Sequence, residues 1–355
     1  MKKIILFLWV ALFYGCEKPV EPTPEPTPEP PPVTTTIEIN FDNDNNSSLM
    51  FQDGESIALL TSEERRYDIG QVLRVKAVDL TTLEVANFAP TDIVNATILV
   101  TIEGHPKPIK LFNIGKIRAH AVQQIKYPFI DGDTKFLDID DQEVDLAQYK
   151  TTGIPIANVS FDFTGETDLI KKLKLLGKLK WKIKYHDFDP NDDPGNNWKD
   201  NIDAKDVRRF SGIIINLAYL FQAESTKTAF IAEPITDNNN VAMSTEQKQE
   251  VFKKIIDIPL FHCGVVVNVS GLGGGSTFGL ANHVLKDYLT KDVCEITVHE
   301  IGHMIGYSHT SSMTYPSNPD KRGAVVATGQ AYTIMLSRNE FPIRKNNYYK
   351  AVDFE

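Results

Sequence analysis

His299-Glu300-Ile301-Gly302-His303-Met304-Ile305-Gly306-Tyr307-Ser308-His309 is the stretch from which the rest of the chain is best read. Three of the eight histidines in 355 residues fall within these eleven positions, in the pattern H-E-x-x-H-x-x-G-x-x-H. His299 and His303 are four apart, which on a helix stacks their side chains with about 5–6 Å between Cβ atoms, close enough to chelate one ion. The preceding residues, Lys291 to Val298, suit a helix, with Asp292 near its positive end. Val298, Ile301 and Ile305 share a face that can pack into a core, whereas Ile296, His299 and His303 point elsewhere. On a continuous helix His309 would sit about 240° around the axis from His303, so the helix must end and the chain must turn back. Gly306 is the residue suited to that left-handed cap.

Three imidazoles leave one tetrahedral position open, the arrangement of a catalytic zinc and not of a closed structural one. Glu300 lies beside such an ion without ligating it. From there a carboxylate can take the proton of an activated water and pass it to a leaving amine. The chemistry these residues suit is zinc-assisted hydrolysis of a peptide bond, with Glu300 as general base.

The eleven residues resemble the metzincin signature, that of the clan of zinc metallopeptidases which includes astacins, serralysins, matrix metalloproteinases and the fragilysin toxins. The resemblance is specific over the signature and dilute elsewhere. It implies a methionine turn below the zinc, for which there are two candidates. Ser311-Ser312-Met313-Thr314-Tyr315 matches the S-x-M-x-Y turn locally, only four residues past His309; Tyr332-Thr333-Ile334-Met335 has a more ordinary separation and a poorer match. Met313 is favoured, with Met335 as the alternative, a core methionine on the plain reading. If Met313 is the turn, Tyr315 would stabilise the oxyanion of the tetrahedral intermediate. Thr310 to about Ile334 would form the lower rim and specificity pocket.

Around the motif the pattern is strand, helix, strand, helix, strand, helix. Lys178 to Tyr185 alternates lysine with Leu179, Trp181, Ile183 and Tyr185, the period of a half-buried strand. Asp203 can cap a helix carrying Val207, Phe210, Ile214, Leu217 and Phe221; Thr228–Ala232 reads as a short strand. Ser244 and Gln247 form a capping box for a helix to about Ile256, and Cys263–Val269 is a β-branched strand. By the metzincin analogy, Val265–Ser270 would be an edge strand pairing with substrate backbone; the alternative is an ordinary core strand. The glycine-rich stretch 271–279 lacks the spacing and the lysine of a phosphate-binding loop.

Met1-Lys2-Lys3 and the apolar run Ile4–Phe13 form a signal-peptide pattern too short to span a bilayer, ending at Gly15-Cys16, which resembles a bacterial lipobox. Cys16 would carry the lipid. The proline-alternating stretch 21–32 is an extended spacer. Together they imply a Gram-negative envelope protein anchored in outer-membrane lipid, on its periplasmic or surface face. From 37 to 170 the sequence is strand-rich, with Ile37–Phe41, Ile57–Leu60, Leu73–Leu80, Thr97–Glu103, Ile109–Phe112 and Val159–Phe163 as expected strands and no catalytic constellation. His105 and His120 stand alone there.

The expected class is therefore α+β, with a signal peptide at 1–16, a linker at 17–36, an all-β spacer or pro-domain at 37–170 and an α/β metzincin-like zincin catalytic domain at 171–355. A cysteine switch is excluded, since no cysteine lies between Cys16 and Cys263. Cys263 and Cys294 could pair or serve as small core residues. Asp/Asn clusters at 42–46, 131–141 and 187–193 suit either calcium or metal-free turns. A net charge of −10 argues against nucleic acid as a partner. A monomeric zinc endopeptidase acting on protein or peptide is the first expectation; an envelope binding lipoprotein with a vestigial zinc site is the rival.

Overall fold

The structure is a computed structural model describing residues 37–317 and 319–355. The expected signal peptide, the Cys16 anchor and the linker to residue 36 lie outside the described residues. The protein is α+β, strand-rich before residue 165 and mixed after it, and the described residues belong to one compact unit.

Two sheets make up the strand-rich part and share one core. One runs Glu143–Asp145, Lys135–Asp138, Ile109–Ile117, Ile93–Ile102, Val159–Thr164, with Glu38–Phe41 also on Ile109–Ile117. The other runs Ser48–Leu49, Ala121–Lys126, Thr82–Asn87, Leu73–Ala77. Period-two burial explains the long central strand: Ile98, Val100 and Ile102 point inward between exposed or half-buried neighbours.

A third sheet carries the candidate site, in the order Gly271–Gly274, Thr277–Ala281, Phe261–Val266, Lys182–Tyr185, Tyr67–Asp68. Its centre is parallel and both outer pairings are antiparallel. The crossover from Lys182–Tyr185 to Phe261–Val266 contains the helices Ala204–Gln222, Glu224–Ala232 and Thr245–Ile256. The first opens on a capping box between Asp203 and Asp206, the third on one between Ser244 and Gln247. The sheet crosses the 170/171 boundary expected from the sequence, because Tyr67–Asp68 supplies its far edge.

Several expectations are corrected. Ile57–Leu60 is a helical turn, its first amides met by Ser56, whose Oγ accepts from Leu59 N at 3.3 Å. Thr228–Ala232 belongs to the helix Glu224–Ala232, because Thr226 and Phe230, four apart, bury one helical face. The alternation from Leu179 to Tyr185 does bury Leu179, Trp181, Ile183 and Tyr185, but the ladder begins only at Lys182. Residues 176–178 form a 3₁₀ turn, and the Trp181 indole N–H donates to Ile255 O at 2.7 Å. Val265–Ser270 is not the sheet's edge, which is Gly271–Gly274. Phe261–Cys263 pairs with Lys182–Tyr185 and His262–Val266 with Thr277–Ala281, while Trp198 and Lys199 cover the other side of Val265 and Val266. Cys263 and Cys294 are both free and buried, filling core space without a bond.

The Asp/Asn clusters satisfy their own turns. Asp42 accepts from Asn43 and Asn46, Asp189 caps the turn Pro190–Asp192, and Asp138 accepts from the amides of Asp140 and Gln142. Among the described residues no helix is long and apolar enough to cross a membrane.

The last residues lock the unit. Arg208, fully buried on the helix Ala204–Gln222, donates to both carboxylate oxygens of Asp353 at 2.7 and 2.6 Å, to Phe51 O at 2.8 Å and to Asp53 at 2.8 Å. Tyr348 adds a hydroxyl bond to Asp353 at 2.9 Å. Asp353→Ala should cost about 3–5 kcal/mol in urea unfolding, because Arg208 keeps its buried charge and loses its bidentate partner.

His120 is buried with φ +55° and finds no hydrogen-bond partner for either ring nitrogen among the described residues. Burial, with lesser repulsion from Arg208 and Arg65, lowers its pKa to about 3. An unfolded histidine titrates near 6.5, so between about 6.5 and 3 only the unfolded chain takes up that proton. Stability from this group is complete above about pH 6.5 and is lost as pH falls, by up to about 1.4 kcal/mol per pH unit. His120→Asn, which tolerates the positive φ, should flatten the stability–pH curve between pH 6.5 and 4; parallel curves would refute the assignment.

Candidate metal centre

The motif helix runs Cys294–Met304, starting three residues later than the sequence suggested. Asp292 sits at its head, its carboxylate accepting from Cys294 N at 2.8 Å. Val298 and Ile301 are buried and Ile305 half-buried on the core side. Gly306, at φ +93°, ends the helix: its N–H reaches His303 O at 3.0 Å and Tyr307 N–H reaches Gly302 O at 2.9 Å. That pair of bonds is a Schellman cap, and it sends the chain back so that His309 rejoins the other two rings.

One ring nitrogen from each of His299, His303 and His309 lies within 4.8 Å of the others, so the three are close enough to hold a metal ion. Among the described residues they are the one group of three or more His, Cys, Asp or Glu so placed. His299 Nδ1–H donates to Thr314 O at 2.8 Å and His303 Nδ1–H to Tyr307 O at 2.7 Å. These bonds put both protons on Nδ1 and leave both Nε2 atoms as bare acceptors. The two Nε2 atoms face each other at 3.0 Å. Two lone pairs at that distance repel unless a cation lies between them, so the donor set fits a metal. Burial, the largest cause, lowers the pKa of His299 to about 4 and also lowers that of His303, keeping both neutral as ligation requires.

Glu300 follows the first ligand on the helix and is buried, with Oε1 at 4.0 Å from His299 Nε2. Burial raises its pKa to about 7, the range of a proton carrier at neutral pH. Met313 is fully buried in the turn after His309, and the carbonyl of the next residue, Thr314, orients His299. Met335 lies instead in the helix Ala324–Ser337, so it cannot form a turn. The half-exposed Tyr315 ring lies 4.5 Å from the His299 ring and 5.0 Å from that of His309, between centroids.

These groups open on a cleft of about 760 Å³ whose lining residues lie between Val269 and Tyr315. One wall is the edge strand Gly271–Gly274. Two of its glycines answer to packing: a Cβ on Gly273 would lie 2.8 Å from Glu300 Cα and closer still to its carbonyl oxygen, and one on Gly271 would lie 2.7 Å from Glu300 Cδ. Gly271 and Gly273 therefore serve to bring backbone against the motif helix.

Sequence reasoning missed Asn238, which lies on the turn between Thr236 and Ala242 and bonds the chain around His309. Nothing in its neighbourhood announces it, since Asp237-Asn238-Asn239-Asn240 reads as turn composition. It also missed the carbonyls of Thr314 and Tyr307, because backbone acceptors have no sequence signature.

Compared with family models, curated proteins and solved structures, the chain matches none.

Gly273→Ala should push the edge strand away from the motif helix and cost about 1–3 kcal/mol. Gly177→Ala, with nothing within 4 Å of its added carbon, is the control. Equal thermal transitions for the two variants would show that the close approach is not required.

Proposed function

We propose that this chain is a zinc-dependent endopeptidase, hydrolysing peptide bonds by attack of water without a covalent enzyme intermediate. The observation that carries the reading is the pair of facing Nε2 atoms, with the Glu300 carboxylate 4.0 Å from one of them. Tetrahedral zinc with Zn–N bonds of about 2.0–2.1 Å holds its ligand nitrogens about 3.3–3.4 Å apart, close to the spacing seen here. Neutral imidazoles with backbone carbonyls behind them are the ligand type zinc favours.

When bound, zinc supplies Lewis-acid polarisation of the scissile carbonyl and a lowered pKa for water. His299, His303 and His309 hold and orient it. Glu300 as carboxylate takes a proton from the attacking water at one oxygen and delivers it to the leaving nitrogen, ending unchanged. A nearby cation would draw its pKa below the value burial alone sets, keeping that carboxylate available. In this reading the Tyr315 hydroxyl donates to the oxyanion, a role supported by its ring standing beside those of His299 and His309, with Met313 packed in the preceding turn.

The edge strand supports a peptide as substrate. Gly271–Gly274 has a neighbour on one side only among the described residues, so an extended peptide can add to its free edge. Its near-absence of side chains leaves that backbone open. The β-rich region reads as support for this sheet, since it supplies an edge strand. Lipidation at Cys16 belongs to the same proposal, placing a monomer on envelope lipid to act on protein or peptide.

Glu300→Gln should lower cleavage of a peptide library by about 10²–10⁴-fold while zinc content stays at one per chain. A chelator should abolish wild-type cleavage, and added zinc should restore it. A zinc-loaded wild type that cleaves no peptide at any pH, yet captures a ligand, would instead mark a binding lipoprotein.

A further inference from the structure

The three candidate ligands are not held alike. His299 and His303 each have a ring N–H fixed to a backbone carbonyl, whereas the His309 ring has no hydrogen bond to any other described residue. Nor is His309 on the helix; it is on exposed chain beyond Gly306. Something else must determine where that ring stands.

Asn238 bonds the chain on both sides of it. Its side-chain N–H donates to Gly306 O at 3.0 Å, and its Oδ1 accepts from Ser308 N at 2.8 Å and Ser308 Oγ at 3.2 Å. Its own carbonyl accepts from Thr310 Oγ1 at 2.7 Å. The residues immediately before and after His309 are thus tied to one asparagine. That asparagine is itself rigidly presented. The Asp237 carboxylate accepts from the amides of Asn239 and Val241, both at 2.9 Å, and Asp237 N bonds Val241 O at 2.8 Å. Below the turn, Thr236 exchanges bonds with Ser311 and Ser312, fixing it to the Met313 segment.

We infer that Asn238 is a positioning residue for the third metal ligand: it fixes the backbone flanking His309 and thereby completes a site that the motif helix alone leaves two-coordinate. The inference rests on the metal-binding reading above. Ligation by His309 costs least when its backbone is already ordered, so losing the tether lowers affinity without changing any ligand.

The test uses the full chain, with zinc affinity measured by chelator competition and coordination by the visible spectrum of the cobalt(II)-loaded protein. Asn238→Ala should bind zinc about 10–100-fold more weakly, with a cobalt spectrum altered from that of the wild type. Asn238→Asp keeps the acceptor for Ser308 but cannot donate to Gly306 O, so it should fall between. Thr310→Val removes the hydroxyl that bonds Asn238 O and meets Ser308 Oγ, leaving the turn's own residues unchanged; it should weaken zinc by a few-fold and stands in if Asn238→Ala does not fold. Wild-type-like affinity and an unchanged spectrum in these variants would overturn the role of Asn238 and leave the metal site intact. A wild type that binds neither ion overturns the metal reading, and this inference with it.

Discussion

Two histidine rings presenting unprotonated nitrogens to each other at 3.0 Å is the arrangement on which the rest of this structure turns. It is unfavourable without a cation between the rings, and it is set by the carbonyls of Thr314 and Tyr307, which hold each proton on the far side of its ring. One carbonyl comes from the turn after His309, the other from the helix cap. The chain reversal at Gly306 therefore does two things: it returns His309 to the other rings, and it supplies the acceptor that sets the tautomer of His303.

The surrounding fold can be understood as a brace for that reversal. The motif helix is flanked by a glycine strand that lets its backbone approach Glu300 closely, and the third ligand is tied from outside by the turn at Asn238. Behind the helix, the sheet continues through parallel central strands to a strand contributed from residues 67–68. The buried Arg208–Asp353 pair then draws the chain's last residues onto the Phe51–Asp53 loop. An early segment and the chain's end thus both share the packing of the helical half, and the short Tyr67–Asp68 strand makes sense only as part of its sheet.

Legibility in the sequence followed the range of the interactions. The helix caps at Asp203 and Ser244 depend on neighbours three residues away, and both were readable. The burial alternation from Leu179 to Tyr185 was readable too, yet the ladder starts later because residues 176–178 wind into a 3₁₀ turn. Thr228–Ala232 looks β-like in composition and is helical, since burial of Thr226 and Phe230 on one face outweighs a propensity difference of a few tenths of a kcal/mol per residue. The edge of the sheet was misplaced for a similar reason. A β-branched run such as Cys-Gly-Val-Val-Val suits a strand, but which strand stands outermost depends on partners far away in the chain.

What the sequence determined by itself is the identity of the donors: two imidazoles and a carboxylate within little more than one helical turn, then a glycine that must break the helix and a third imidazole beyond it. Spacing within one helix turn is fixed by covalent geometry, so no fold is needed to read it. What only the tertiary structure decided is their environment: the carbonyls that turn the rings, the burial that lifts Glu300, the glycine strand that forms the cleft wall and the asparagine beside His309. Those groups lie up to about seventy residues away or belong to the backbone, and only packing brings them within hydrogen-bond reach.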